Sequence, residues 1–135
     1  DITSRISLLE ECVGQVEELS PQTVAAYRER LTAKINEVLE GRGVDEARVL
    51  TEVAIFADKV AVAEETVRLR SHFKQFRSLL ELNEPVGKKL DFLVQEMNRE
   101  TNTIGSKCQD VAVTNLVLTM KAEIEKIREQ IQNIE

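Results

Sequence analysis

The hydrophobic residues of the chain recur at helical spacing from one end to the other. In the first segment they stand alternately four and three positions apart, which gathers them into one stripe along a helix: Ile2, Ile6, Leu9, Val13 and Val16. Ser20 and Pro21 match the N-cap and first position of a new helix, so they predict a break here. The second helix is predicted to run to about Glu40, with Gly41 and Gly43 ending it.

A longer helical stretch covers residues 45–82 and contains neither glycine nor proline. Its pattern leaves two possibilities open, one continuous rod or two helices that meet in a kink near residues 61–63. Residues 83–85, Asn-Glu-Pro, predict a loop, because proline disfavours helical backbone in the residue before it. A fourth helix is predicted over residues 86–106, weakened at Gly105.

The last predicted helix begins near Asp110 and has the most regular apolar pattern. Its apolar residues alternate steps of four and three without a fault: Val113, Val117, Met120, Ile124, Ile127, Ile131 and Ile134. Such a seam needs a partner helix, which is either the first helix of the same chain or a second subunit. The chain has only five glycines, two prolines and no tryptophan, which also favours helix. The predicted fold class is all-α, a bundle of long amphipathic helices with coiled-coil-like packing.

The charge of the chain is unevenly distributed. Its net charge of −6 argues against general binding to nucleic acids. Residues 66–107, however, contain eight Lys and Arg against five Asp and Glu. A locally basic segment on an acidic body can bind a polyanion, although such asymmetry also arises by chance.

The remaining composition excludes several classes of protein. The sequence has no signal peptide and no apolar run long enough to span a bilayer. It begins at Asp1 rather than at a methionine, so we expect a fragment or a processed product. Cys12 and Cys108 lack metal-type spacing; two free thiols in a reducing cytosol are expected, with a disulfide as the less favoured alternative.

A carboxylate interrupts the apolar seam of the fourth helix. Glu100 stands where the spacing assigns a core residue, and Glu96 precedes it by one turn. Buried carboxylates are costly unless they are paired or bound to metal. A salt bridge to a neighbouring arginine is the commoner explanation, and a site for Mg²⁺ or Mn²⁺, which prefer oxygen ligands, is the functional one.

The only histidine lies in a line of polar residues. On a continuous helix Asp58, Glu65 and His72 would share one face at intervals of about 10 Å, too far apart to bind one metal ion by themselves. Each could still contribute to a site completed by the fourth helix, although a lone histidine is more often structural or merely exposed. Donors suited to phosphate surround these positions: Arg68, Asn98, Arg99, Asn102 and Lys107.

Three stretches of the chain resemble the YicC-like family of bacterial endoribonucleases. The most specific is residues 87–107, where QEMNRE is followed by NTIGSK; residues 64–72, EETVRLRSH, and residues 126–135, KIREQIQNIE, also match. The resemblance extends from about Tyr27 onward. Ala61 departs from it, since similar sequences tend to have aspartate at this position.

The resemblance implies a function and a site. Members of the family cut single-stranded RNA with the help of a divalent metal, Mn²⁺ or Mg²⁺, and assemble into homo-hexamers in the bacterial cytoplasm, without a membrane. Carried over to this chain, it implies the following roles: Glu65, Glu96 and Glu100 as metal ligands, His72, Glu96 and Glu100 as catalytic residues, and Arg68, Arg99, Asn102 and Lys107 as contacts to RNA phosphates. Histidine suits acid–base chemistry because it ordinarily titrates near neutral pH.

The hypothesis is therefore the C-terminal part of a metal-dependent endoribonuclease, a phosphodiester hydrolase. Residues 1–44 are predicted to form a helical hairpin for packing and oligomerisation, and residues 45–135 the helical, catalytic-type domain. The alternative is a non-catalytic helical module for oligomerisation or RNA binding. Glu100 distinguishes the two hypotheses, because a carboxylate in an apolar seam is not expected in a purely structural module.

Overall fold

The computed structural model describes residues 1–40, 42–43, 45–82 and 84–134. These residues form five helices: α1 (Ile2–Leu39), α2 (Glu46–Val60), α3 (Ala63–Leu80), α4 (Gly87–Lys107) and α5 (Val111–Ile134). The described part contains no strand, which confirms the all-α class. Helix α4 packs between α3 and α5, and α1 packs against α2, α3 and α5.

The predicted break at Ser20 and Pro21 is wrong, and so is the helical hairpin within residues 1–44. Helix α1 continues for 38 residues with Pro21 inside it. Proline has a helical φ, but inside a helix it removes one hydrogen bond and its ring crowds the preceding turn, so the contacts on both sides of Pro21 must offset this cost. The buried residues of α1 all precede Pro21, whereas beyond it Tyr27 stacks on Phe56 of α2 with ring centroids 3.9 Å apart.

The stretch from residue 45 to residue 82 is two helices rather than one rod. Helix α2 ends at Val60, and Ala61 has a ψ of 123°, which is extended backbone. Asp58 therefore lies on a different helix from Glu65 and His72, and the expected line of three residues is wrong. Glu65 and His72 remain on one face of α3, seven positions apart.

The other helix ends follow their sequence signals in most respects. Glu40 ends α1 in the left-handed conformation, with a φ of 50°, and Gly43 follows with a φ of 93°; Gly41 lies outside the described residues. Glu84 and Pro85 are non-helical as predicted, while Asn83 is likewise outside the description. Asp110 caps α5, since its side chain accepts from the amide of Ala112 at 2.9 Å.

The apolar seams of α1 and α5 are buried together in one core. Arg5 of α1 also donates to Glu123 of α5 at 2.7 Å, so the partner of the last helix is the first helix of the same chain. Ile2 is partly buried against this core, and the other described seam residues of both helices are buried: Ile6, Leu9, Val13, Val16, Val113, Val117, Met120, Ile124, Ile127 and Ile131. The side chain of Ile134 is outside the description.

Gly105 lets α4 approach α5 closely. A Cβ atom at this position would lie 3.1 Å from Cγ1 of Val117, which is tighter than an ordinary van der Waals contact. Helix α4 continues through Gly105 to Lys107, one residue beyond its predicted end.

The two cysteines are free thiols, as predicted, and Cys12 and Cys108 are both buried. Burial, with smaller contributions from Glu11 and Glu123, raises the pKa of the Cys12 thiol. None of the helices described is both long and apolar enough to cross a membrane.

Candidate functional site

Two of the predicted site residues are carboxylates buried between α3 and α4. Glu65 lies in the first turn of α3, where the partial positive charge of a helix N-terminus favours an acid. Glu100 lies on the buried face of α4, one turn from Met97 and one from Ile104. Each is only 2% exposed. A pair of carboxylates this deep needs compensating charge.

Arg68 supplies that charge to both carboxylates. Its Nε donates to Oε2 of Glu100 at 3.0 Å, and its Nη2 lies 3.6 Å from Oε2 of Glu65. The ion pair that is the commoner explanation of a seam glutamate is therefore present. The side chain of Arg68 is itself 45% exposed, so the guanidinium connects the buried acids to the surface.

Lys107, the last residue of α4, completes the group. Its Nζ donates to Oε2 of Glu65 at 2.9 Å. Burial alone would raise the pKa of Glu65, but the hydrogen bond from Lys107 and the charges of Lys107 and Arg68 outweigh it, so the pKa is lowered. The same contacts raise the pKa of Lys107, mainly through Glu65, and of Arg68, mainly through Glu100. We call Glu65, Arg68, Glu100 and Lys107 the buried carboxylate cluster.

His72 follows Arg68 by one turn on α3, so the two side chains are neighbours on the helix surface. Both ring nitrogens of His72 and the Oε1 atom of Glu65 are buried without a hydrogen-bond partner among the described residues. Buried polar atoms are nearly always paired. Unused hydrogen-bonding capacity therefore lies on the same face of α3 as the cluster.

The other predicted residues do not join the cluster. Glu96 pairs with Arg99, at a separation of 3.8 Å that is too long for a hydrogen bond. Arg99 and Asn102 are exposed on α4. The structure thus brings together Glu65, Glu100 and two cations, and leaves the other predicted site residues of α4 outside this group.

The cluster does not fit a metal centre built from one chain alone. No three His, Cys, Asp or Glu side chains converge in the described ranges. Two carboxylates are gathered, and both already contact cations. A site for Mg²⁺ or Mn²⁺ needs several oxygen ligands with uncompensated charge, so we derive no step through a metal.

A basic cleft borders the cluster at Lys107. This cleft, of about 550 Å³, also carries Arg30 of α1 and Lys59 of α2, and Asp110 is the carboxylate among its lining residues. Within the described ranges, neither Arg30 nor Lys59 has a carboxylate oxygen within 4.0 Å. Sequence reasoning missed this cleft, because its cations come from separate helices and are ordinary surface residues by spacing.

Two further arginines of α3 have a different role. Arg70 donates to Glu17 of α1, with Nε 3.1 Å from Oε2, and Arg77 donates to Glu10 of α1 at 2.6 Å. The hydrogen bond from Arg70 lowers the pKa of Glu17. These pairs tie α3 to α1, on the side of α3 away from the cluster.

The fold and the cluster define an all-α protein with a charged site between two packed helices, opened to the surface by an arginine and a lysine. The family model for the C-terminal domain of YicC-like endoribonucleases matches residues 16–135. The chain belongs to this family.

Two curated relatives extend the comparison. A protein of Clostridioides difficile (strain 630) is 50% identical over 136 residues, which covers 100% of this chain and 46% of the relative. A protein of Haemophilus influenzae (strain ATCC 51907 / DSM 11121 / KW20 / Rd) is 36% identical over 134 residues, covering 99% of this chain and 46% of that protein. Both are named probable endoribonuclease YicC. The chain spans about half the length of these relatives.

Proposed function

We propose that this chain is the helical part of an endoribonuclease and that the buried carboxylate cluster binds the phosphodiester to be cut in single-stranded RNA. One observation carries the proposal: Arg68 holds Glu100 through its Nε, while its side chain is 45% exposed and its terminal nitrogens make only long contacts. Those nitrogens lie 3.6 Å and 3.7 Å from carboxylate oxygens, beyond strong hydrogen bonding. A guanidinium has five donors in a planar fork, so Arg68 can hold Glu100 and a phosphate together.

The cations around the cluster suit successive phosphates of a strand. Arg68 and Lys107 would neutralise charge that develops on the scissile phosphate, the type of stabilisation that contributes most in many enzymes. Arg30 and Lys59 in the basic cleft would hold a neighbouring phosphate, and contacts of this kind position the strand without reading its sequence. Arg99 and Asn102 are available as exposed donors along α4.

Proton transfer falls to groups with unused hydrogen-bonding capacity. His72 is the proposed acid or base, because its ring nitrogens are unpaired within the described residues and it neighbours Arg68 on α3. Glu65 can accept a proton or a hydrogen bond at Oε1, since Lys107 and Arg68 both approach Oε2. Glu100 positions Arg68.

Metal dependence remains a prediction of the family resemblance, which implies Glu65, Glu96 and Glu100 as ligands, although Glu96 lies outside the cluster in this chain. The cytoplasmic location and the homo-hexamer also remain predictions of the family resemblance. A chelator in the cleavage assay tests the metal: activity that is lost with chelator and restored by Mn²⁺ or Mg²⁺ would support it. Unchanged RNA cleavage in the presence of chelator would mean that side chains catalyse the reaction without a metal ion.

The proposal is tested with matched arginine variants on α3. Arg68→Ala and Arg70→Ala remove the same charge from side chains that are both 45% exposed and both paired with a glutamate. Cleavage of labelled single-stranded RNA should fall at least about 100-fold in Arg68→Ala, the typical cost of losing one such donor. Arg70→Ala should stay near wild type. Equal activity in the two variants would contradict the assignment of the site.

A further inference from the structure

The opposite end of the α3–α4 pair has a groove that the cluster does not use. It has a volume of about 650 Å³ and lies between the end of α3 and the start of α4. Its lining combines apolar side chains, which we call the floor, with lysines, which we call the rim, and also includes two neutral polar residues: Leu79, Leu82, Phe92 and Leu93, then Lys74, Lys88 and Lys89, then Gln75 and Ser78.

Phe92 is an unusual residue to leave at a surface. It is 59% exposed, whereas Phe73 and Phe76 are fully buried and Tyr27 and Phe56 are partly covered by their mutual stacking. The chain has only five aromatic residues. One of them therefore presents a large part of its ring to the groove, although an exposed ring contributes nothing to the core.

The three rim lysines have no ion-pair partner in the part of the chain that the structure describes. In the described ranges none of them has a carboxylate oxygen within 4.0 Å, in contrast to Arg68, Arg70, Arg77 and Lys107. Asp91 precedes Phe92, but its carboxylate accepts from the side-chain amide of Gln95 at 3.1 Å. The groove thus has positive charge available for an anionic ligand.

We propose that Phe92 stacks on a base of the single-stranded RNA and that Lys74, Lys88 and Lys89 contact the phosphates beside that base. An aromatic ring with lysines around it is the common way to bind single strands irrespective of sequence. An acidic peptide would need the lysines but not a solvent-facing ring, and an apolar helix would need the floor but not the charge.

The groove and the cluster lie along the same faces of α4. Phe92 and Arg99 are seven positions apart and share a face of this helix, about 10 Å from each other. Leu93 and Glu100 have the same relation, one in the groove and one in the cluster. A strand anchored at Phe92 can therefore pass Arg99 to reach Arg68, so the subsite rests on the proposed function and would hold the RNA away from the cut.

Binding of a fluorescein-labelled, short oligouridylate tests the subsite. Phe92→Leu keeps the apolar floor and removes the stacking ring, so affinity should fall roughly 5- to 150-fold, the range expected for one stacked base. Phe92→Tyr keeps the ring and should bind like wild type. Replacing Lys88 and Lys89 with glutamine should reduce the slope of log affinity against log salt by roughly 0.7 for each phosphate that is no longer neutralised.

A tryptophan at position 92 reports the stacking directly. The chain has no tryptophan, so Phe92→Trp introduces one fluorophore, which the oligouridylate should quench. Leu118→Trp, at a 61% exposed position of α5, should not respond. Quenching and weaker binding without any RNA cleavage by the wild type would support the subsite and contradict the proposed nuclease function.

Two results would overturn the subsite. Wild-type affinity and salt slope in Phe92→Leu, together with normal cleavage, would leave the nuclease proposal intact and remove Phe92 from it. A lower molar mass of Phe92→Leu by light scattering without RNA, with unchanged RNA affinity, would instead assign the groove to a second copy of the chain.

Discussion

Arg68 on α3 donates to Glu100 on α4 across 32 positions of sequence, and this hydrogen bond of 3.0 Å is the contact that brings a buried acid to the surface of the molecule. Glu100 is compensated from the rim of the site rather than from inside the core. Removing the acid would therefore leave a guanidinium that water can reach. This asymmetry allows the role of Glu100 to be tested without unfolding the protein.

Glu100→Leu should restore the apolar seam and abolish cleavage. Breaking a buried ion pair is usually costly because one charge is left uncompensated, but Arg68 is half-exposed. We therefore expect a change in unfolding free energy within about 1 kcal/mol of zero. Glu100→Gln keeps the shape and an acceptor for Arg68 and should also lose most activity. Full RNA cleavage by Glu100→Leu would assign this carboxylate to the fold alone.

Acid should destabilise the protein partly through Glu65. Its pKa in the folded chain lies below the ordinary value of 4.5, so its contribution to stability is present above that value and is lost as pH falls through the folded pKa. Denaturation in urea across the acid range should show a shallower loss of stability for Glu65→Gln than for wild type. Lys107→Gln should act in the same direction, and the double variant should show less than the sum of the two. Parallel acid profiles for wild type and Glu65→Gln would contradict this.

Gly105→Ala and Gly14→Ala should have opposite effects on stability. Both glycines lie inside helices, where alanine gains up to about 1 kcal/mol in helix propensity. At Gly14 the new Cβ meets only a nitrogen of Arg70 at 3.8 Å, but at Gly105 it meets Val117 at 3.1 Å. We expect thermal unfolding to show Gly14→Ala as stabilising and Gly105→Ala as destabilising by about 1 kcal/mol. Adding Val117→Ala should relieve the strain, so additive effects would refute the contact.

Self-association remains a prediction, but the reason for it has changed. The seams of α1 and α5 are used within one chain, so they offer no uncovered stripe to a second. Helix α2 has exposed apolar side chains that a second chain could cover, namely Leu50 and Ile55. Light scattering at micromolar concentration should show oligomers, and Leu50→Glu with Ile55→Glu should reduce their mass more than Leu118→Glu on α5. A monomeric wild-type chain would contradict the prediction for this part of the protein.

The regular seams predicted the helices well because they report local geometry. The pattern from Val113 to Ile131 specified both the length of α5 and its buried face, and the seam position of Glu100 indicated a compensated acid. The partner of that acid was not predictable, since the choice between Arg68 and Arg99 depends on how α3 lies against α4. Glu96 also could not be placed from the sequence. It lies one turn from Glu100 on α4, as predicted, but it pairs with Arg99 and therefore stays outside the cluster.

Tertiary contacts explain what local signals missed. Ser20 and Pro21 match a helix start, yet packing on both sides extends α1 through them. Arg30 and Lys59 had no distinguishing spacing, and their nearness to Lys107 results from the way α1 and α2 cross the end of α4. Propensity and periodicity describe one helix at a time, whereas a site is a property of several.

Pro21 also marks a point about which the second part of α1 could rotate. The main chain lacks one hydrogen bond at this residue, and Pro21 borders the same small cleft as Val62 and Ala63, where α2 gives way to α3. The missing hydrogen bond at Pro21 and the break between α2 and α3 therefore lie side by side, at one end of the α1–α2 pair, which we call its root. From Pro21 to Leu39 the helix extends about 27 Å, so a small rotation at the root is amplified toward the tip. Because α2 also contributes Lys59 to the basic cleft, such a rotation would change the width of that cleft.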